Sequence, residues 1–128
     1  MMTRVFMVGL AGALGTISRY LIGLWARAAL GTAFPYGTLI VNIGGCFLMA
    51  LVAQLAISTT LISPTLRLTL TTGFMGGLTT YSSFNYETTD LLRERAWATG
   101  FGNIGITFVG CFVAGVLGLA LARRLAGA

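Results

Sequence analysis

The sequence predicts an all-α membrane protein of four transmembrane helices, and three observations carry that prediction. Its 128 residues are 56% hydrophobic and only 9% charged, against roughly 25% charged in soluble domains. Four apolar segments, about 5–27, 37–57, 66–92 and 97–121, take up nearly the whole length, and each is near the ~20 residues that cross a bilayer. Both prolines, Pro35 and Pro64, fall between these segments, where they interrupt no helix. Residues 1–128 therefore read as one membrane domain, with no separate soluble part.

The first span carries Gly9, Gly12 and Gly15, three residues apart, which leaves a groove for close approach by another helix. Arg4 ahead of the apolar run resembles a signal peptide, but the run continues to about Trp25, too long for that, so it is read as a mature span. Arg19 lies within the span rather than at its end. An arginine there either snorkels, bonds carbonyls of a neighbouring helix, or attracts an anion. The second span follows Phe34-Pro35-Tyr36 and places Thr38 and Asn42 one turn apart on one face. An amide in hydrocarbon needs partners, so Asn42 is either glue between helices or a ligand for something crossing the membrane.

The third span is long for one regular helix and contains Gly73, Gly76 and Gly77. These predict a break near its middle, from about Gly73 to Thr79, because clustered glycines weaken a helix. Irregular backbone at membrane depth is tolerated only inside protein or along a cavity, and carbonyls so held suit a hard monovalent cation. The alternative is that the glycines only permit tight packing. Beyond the break, Tyr81 and Phe84 share a face, while Thr80, Ser83 and Glu87 share the adjacent one. Ring edges, hydroxyls and amide N–H groups all present positive charge to an anion. Ordinary packing of the aromatic pair is the competing reading. The fourth span holds Asn103, Thr107 and Cys111 at successive turns among many glycines.

Composition excludes several classes of function. Histidine is absent and the acidic residues are only Glu87, Asp90 and Glu94, too few for a transition-metal site or a His-based catalytic constellation, so no enzyme is expected. Cys46 and Cys111 sit apart in apolar runs and read as small core residues. The net charge of +5 comes from scattered arginines, not the basic patch that nucleic acid demands. In a four-span chain Arg4, Arg67, Arg123 and Arg124 fall on the side of the termini, and Arg27, Arg93 and Arg95 on the other. So small a bias barely orients the chain. Insertion both ways would let opposite copies pair as an antiparallel, dual-topology homodimer in lipid.

Gly76-Gly77-Leu78-Thr79-Thr80-Tyr81-Ser82-Ser83-Phe84 strongly resembles the Gly-Gly-Leu-Thr-Thr-Phe-Ser-Thr-Phe signature of the Fluc/CrcB family of bacterial fluoride channels. Gly37-Thr38-Leu39-Ile40-Val41-Asn42, with Gly12-Ala13-Leu14-Gly15 and Arg19-Tyr20, looks like the first two spans of the same family. The resemblance implies a multi-pass protein of the bacterial inner membrane, an antiparallel homodimer with two fluoride pores. It also implies a structural sodium ion held by backbone carbonyls, mapped to Gly76 and Thr79. The paired phenylalanines map to Tyr81 and Phe84, the pore asparagine to Asn42, and the polar-track hydroxyls to Ser82 and Ser83. The carboxylate after the motif maps to Glu87, and Thr38 and Arg19 complete the candidate pore set. Tyr81 departs from the usual phenylalanine, Ser83 from threonine, and Asn85 from a small residue. Asn103 and Thr107 align less cleanly. Two other readings stand beside this one. A small multidrug exporter needs a carboxylate in its first span, where this chain has Arg19. A packing scaffold explains the glycines but not the hydroxyl and aromatic faces.

Overall fold

A computed structural model describes residues 1–127, and its regular structure is all helix among those residues. Helix α1 runs Met2–Leu30, α2 Tyr36–Ser58 and α6 Trp97–Leu125; each is long and apolar enough to cross a membrane. Between α2 and α6, where the sequence predicts the third span, lies an interrupted helical segment. It starts with α3 (Pro64–Leu68), where Ser63 caps the helix by accepting from the Leu66 N–H at 3.2 Å and proline occupies the first turn. A wider π-helical turn, Thr69–Met75, follows, then α4 (Gly76–Leu78) and, after a gap, α5 (Tyr81–Arg93).

The break sits at the far end of the stretch in which the sequence predicts it. Gly76 stays helical at φ −61°, ψ −36°, and the residues that leave helical geometry are Thr79 (φ −86°, ψ 155°) and Thr80 (φ −153°, ψ 114°). These β-branched residues accept extended backbone readily. The glycines are used instead for close packing. A Cβ on Gly77 would strike the Gly12 carbonyl of α1, and one on Gly15 would strike the Phe74 carbonyl. Of the three small residues in α1, Gly12 and Gly15 therefore line the predicted groove, whereas Gly9 faces open space.

Small residues also set the other crossings, Gly37 of α2 against Gly23 of α1 and Gly118 of α6 against the Phe47 carbonyl. The buried apolar core is correspondingly small, Val41, Met75 and Leu78, flanked by Ile22, Leu48 and Phe74. Asn42, Thr80, Thr88, Asn103 and Thr107 are buried as well. Packing of small residues with polar contacts between helices is how helices associate in lipid, where apolar burial supplies no drive. Large apolar side chains such as Phe6, Leu14, Phe108 and Phe112 point outward, as a lipid-facing surface requires.

Candidate functional site

Helices α2 and α5 run antiparallel across the break, so Asn42 meets Thr80 and Thr38 meets Glu87. Asn42 holds the extended backbone with both ends of its amide. Its Nδ2 donates to the Thr80 carbonyl at 3.0 Å, and its Oδ1 accepts the Thr80 N–H at 2.8 Å. Asn42 is thus an interhelical tie, one of its two predicted roles, and one N–H of its amide is left over.

That tie has a consequence for the preceding carbonyl. In a continuous helix the Thr80 N–H would bond the Gly76 carbonyl four residues back, and it is given to Asn42 instead. The same holds three residues on: the Ser83 N–H goes to Thr80 Oγ1 at 3.1 Å rather than to the Thr79 carbonyl. Gly76 and Thr79 are thus two of the four residues, with Gly77 and Leu78 between them, whose carbonyls lose their helical donors across the break.

Thr80 is the centre of the polar cluster. Its hydroxyl caps α5 and touches Ser83 Oγ at 3.1 Å and Ser82 Oγ at 3.2 Å. Sequence reasoning placed Thr80 beside Ser83 and Glu87 but missed it as the cap. The signal was partial: threonine is a favoured N-cap residue, but Ser83 stands where the capping box would have Glu or Gln. Tyr81 and Phe84 come together as predicted for one face, their ring centroids 5.7 Å apart and tilted by 52°. Tyr81 is 79% exposed, so the pair opens outward from the chain.

Below the cluster, Thr38 Oγ1 donates to Glu87 Oε1 at 2.8 Å, and Glu87 Oε2 is buried without a partner among the described residues. A cleft of about 270 Å³ opens here, with Arg27, Thr38, Tyr86, Glu87, Asp90 and Glu94 in its walls. Arg19 stands apart from this group. It lies one turn beyond Gly15 on α1, half-buried, and its Nε is enclosed with no acceptor among the described residues. A second polar chain joins α6 to α5. Asn103 Nδ2 donates to Thr88 Oγ1 at 2.8 Å, and Thr88 Oγ1 donates to the Phe84 carbonyl at 2.7 Å. Thr88 escaped the sequence reading because nothing in its local pattern separates it from Thr89.

An all-helical bundle with three helices apolar enough to cross a membrane and a polar break in its fourth helical segment defines a multi-pass membrane protein. The family model described as CrcB-like protein, Camphor Resistance (CrcB), matches residues 6–119. A protein of Sorangium cellulosum (strain So ce56) named fluoride-specific ion channel FluC is 54% identical over 124 residues, covering 97% of this chain and 98% of that one. Proteins of the same name from Anaeromyxobacter sp. (strain K) and Geobacter metallireducens are 46% and 44% identical over 126 and 124 residues, spanning 98% and 97% of this chain and all of theirs. The chain belongs to the CrcB family.

Proposed function

We propose that this chain is a fluoride-selective channel that lets cytoplasmic fluoride leave passively, and that two copies in opposite orientations build it, with two pores. The observation that carries the reading is the arrangement at the break. The uncharged hydroxyls of Ser82 and Ser83 and the amide of Asn42 converge on Thr80, next in the chain to the tilted Tyr81–Phe84 pair. The names of the full-length relatives support it.

The chemistry follows from the ion. Fluoride is small and strongly hydrated, so a pore must replace its water with donors without holding it fast. Neutral hydrogen bonds contribute roughly 0.5–1.5 kcal/mol each in net terms, enough to substitute for water in sequence yet weak enough to release. Ring edges add positive potential without a charge. Fluoride that enters a cell as HF ionises in the less acidic interior, and the membrane potential favours anion exit, so a channel needs no energy source. The cleft at Arg27, Thr38 and Glu87 is the entrance on this reading, and Arg19 contributes positive potential inside the membrane.

The implied sodium ion fits the residues present. Gly76 and Thr79 have carbonyls released by the Asn42 and Thr80 hydrogen bonds, and neutral carbonyl oxygens suit a hard monovalent cation. With two copies facing, these carbonyls would hold it between them. When bound, the ion supplies a fixed positive charge that neutralises otherwise unpaired carbonyls.

The test is fluoride efflux from liposomes loaded with potassium fluoride and opened with valinomycin. Wild-type protein is expected to release fluoride and retain chloride; intact dimers that release none would overturn the reading. As a site test, Phe84→Ile is expected to slow fluoride efflux by about a hundredfold or more, a loss of ~2.7 kcal/mol. Unchanged efflux would remove the aromatic pair from the pore.

A further inference from the structure

We propose that Asn103 is a positioning residue, acting through Thr88 to set the rotation of α5 and so the direction in which the Tyr81–Phe84 pair faces. This rests on the channel reading above and assigns to α6 a role beside it.

Asn103 is 1% exposed, one of the two largest side chains enclosed almost completely within the chain. A primary amide so placed, inside a membrane protein, must spend its hydrogen bonds on specific partners. It does so in one direction. Thr107 Oγ1 donates to Asn103 Oδ1 at 3.3 Å, Asn103 Nδ2 donates to Thr88 Oγ1 at 2.8 Å, and Thr88 Oγ1 donates to the Phe84 carbonyl at 2.7 Å. The chain of donors therefore starts on α6 and ends on the backbone of the aromatic residue itself.

Helical spacing explains what this controls. Thr88 lies four residues after Phe84 and seven after Tyr81, so the three share one stripe of α5. Helix α6 covers only the Thr88 end of that stripe, since Thr88 is 6% exposed and Tyr81 79%. The neighbouring face, roughly 100° around the helix, is the one tied to α2 by Thr80 and Glu87. Two polar attachments on faces that far apart fix a rotation that either alone leaves free. Apolar contact with α6, where Leu92 meets Gly100, lies two turns or more beyond the aromatic pair and controls it poorly.

The experiment compares wild type, Thr88→Val, Thr88→Ser and Asn103→Leu in reconstituted liposomes, reading fluoride efflux and chloride leak separately, with dimer content measured by gel filtration. Thr88→Val keeps the shape and removes the hydroxyl; Thr88→Ser keeps the hydroxyl. The expected result is a fall of about tenfold or more in the fluoride-to-chloride flux ratio for Thr88→Val and for Asn103→Leu, with Thr88→Ser close to wild type. The double variant is expected to be no worse than either single one, since both cut the same link. Loss in Asn103→Leu with an unaffected Thr88→Val would make Asn103 a direct ligand and overturn the proposal. If Asn103→Leu does not assemble, the two Thr88 variants decide. A wild type that passes no fluoride overturns the channel reading; a conducting wild type with an unaltered Thr88→Val ratio overturns this inference alone.

Discussion

At the scale of single residues, Asn42 shows how one side chain replaces part of a helix. It supplies Thr80 with both an acceptor and a donor, so an extended residue is satisfied where the helix cannot satisfy it. Asn42→Leu would leave both backbone groups unpaired at a cost of roughly 1–3 kcal/mol each. A fall in the thermal unfolding temperature in detergent well beyond that of Ser82→Ala is expected, and equal values for the two would refute the clamp. The importance of Asn42 was legible in the sequence, because an amide in an apolar segment must be accounted for. Its partner was not, since it bonds the backbone 38 positions away, and backbone carries no side-chain signature. Thr80 was half-legible in the same way: its polar face could be read, its capping geometry could not.

At the scale of elements, the interrupted span separates two roles that the sequence merged. Glycine-rich composition pointed to the right stretch, but it could not say whether the glycines break the helix or let it pack. The structure assigns Gly77 to packing, against the Gly12 carbonyl, and the break to two threonines. Gly77→Ala would then force α1 and the third span apart, and a loss of folded protein of about 1–3 kcal/mol is expected. An alanine variant as stable as wild type would show that the contact yields. The turn into α6 adds a separate case. Arg95 sits at φ 61°, while the Ala96 N–H reaches the Leu91 carbonyl and the Arg95 N–H that of Leu92, the Schellman ending that normally uses glycine. Arg95→Gly is expected to raise stability by up to ~1 kcal/mol, measured by thermal unfolding; a destabilised variant would show that the arginine makes a compensating contact.

At the scale of the whole molecule, the polar break is enclosed on one side only. Gly76 is exposed and a Cβ there meets nothing nearer than 4.0 Å, and Tyr81 is open as well. The second copy proposed above would cover both if it docks on this side. Within one chain Gly76→Ala is tolerated, so a loss of dimer in gel filtration would place a second copy at that residue, and an unchanged dimer would exclude it. The near-equal arginines on the two sides set a companion expectation. A tag on the C-terminus is expected to be reached by impermeant reagent from both faces of the membrane; labelling from one face alone would contradict dual topology. The all-helical plan, three apolar crossings and a bent fourth helical segment, was legible because hydrophobic length is a property of segments, whereas any pairing of copies would depend on surfaces that no single segment displays.

The interrupted span also constrains how the chain enters the membrane. Three helices are apolar enough to cross unaided, but α5 carries Glu87, Thr88, Thr89 and Asp90 in sequence, residues that resist partition into hydrocarbon. Thr89 and Asp90 find partners within α5, but Glu87 is bonded by α2, already made, and Thr88 by α6, not yet synthesised when α5 emerges. On this arrangement the segment would settle in the membrane only after α6 arrives, as a hairpin with it. A chain truncated before Asn103 is therefore expected to leave this polar segment outside the bilayer.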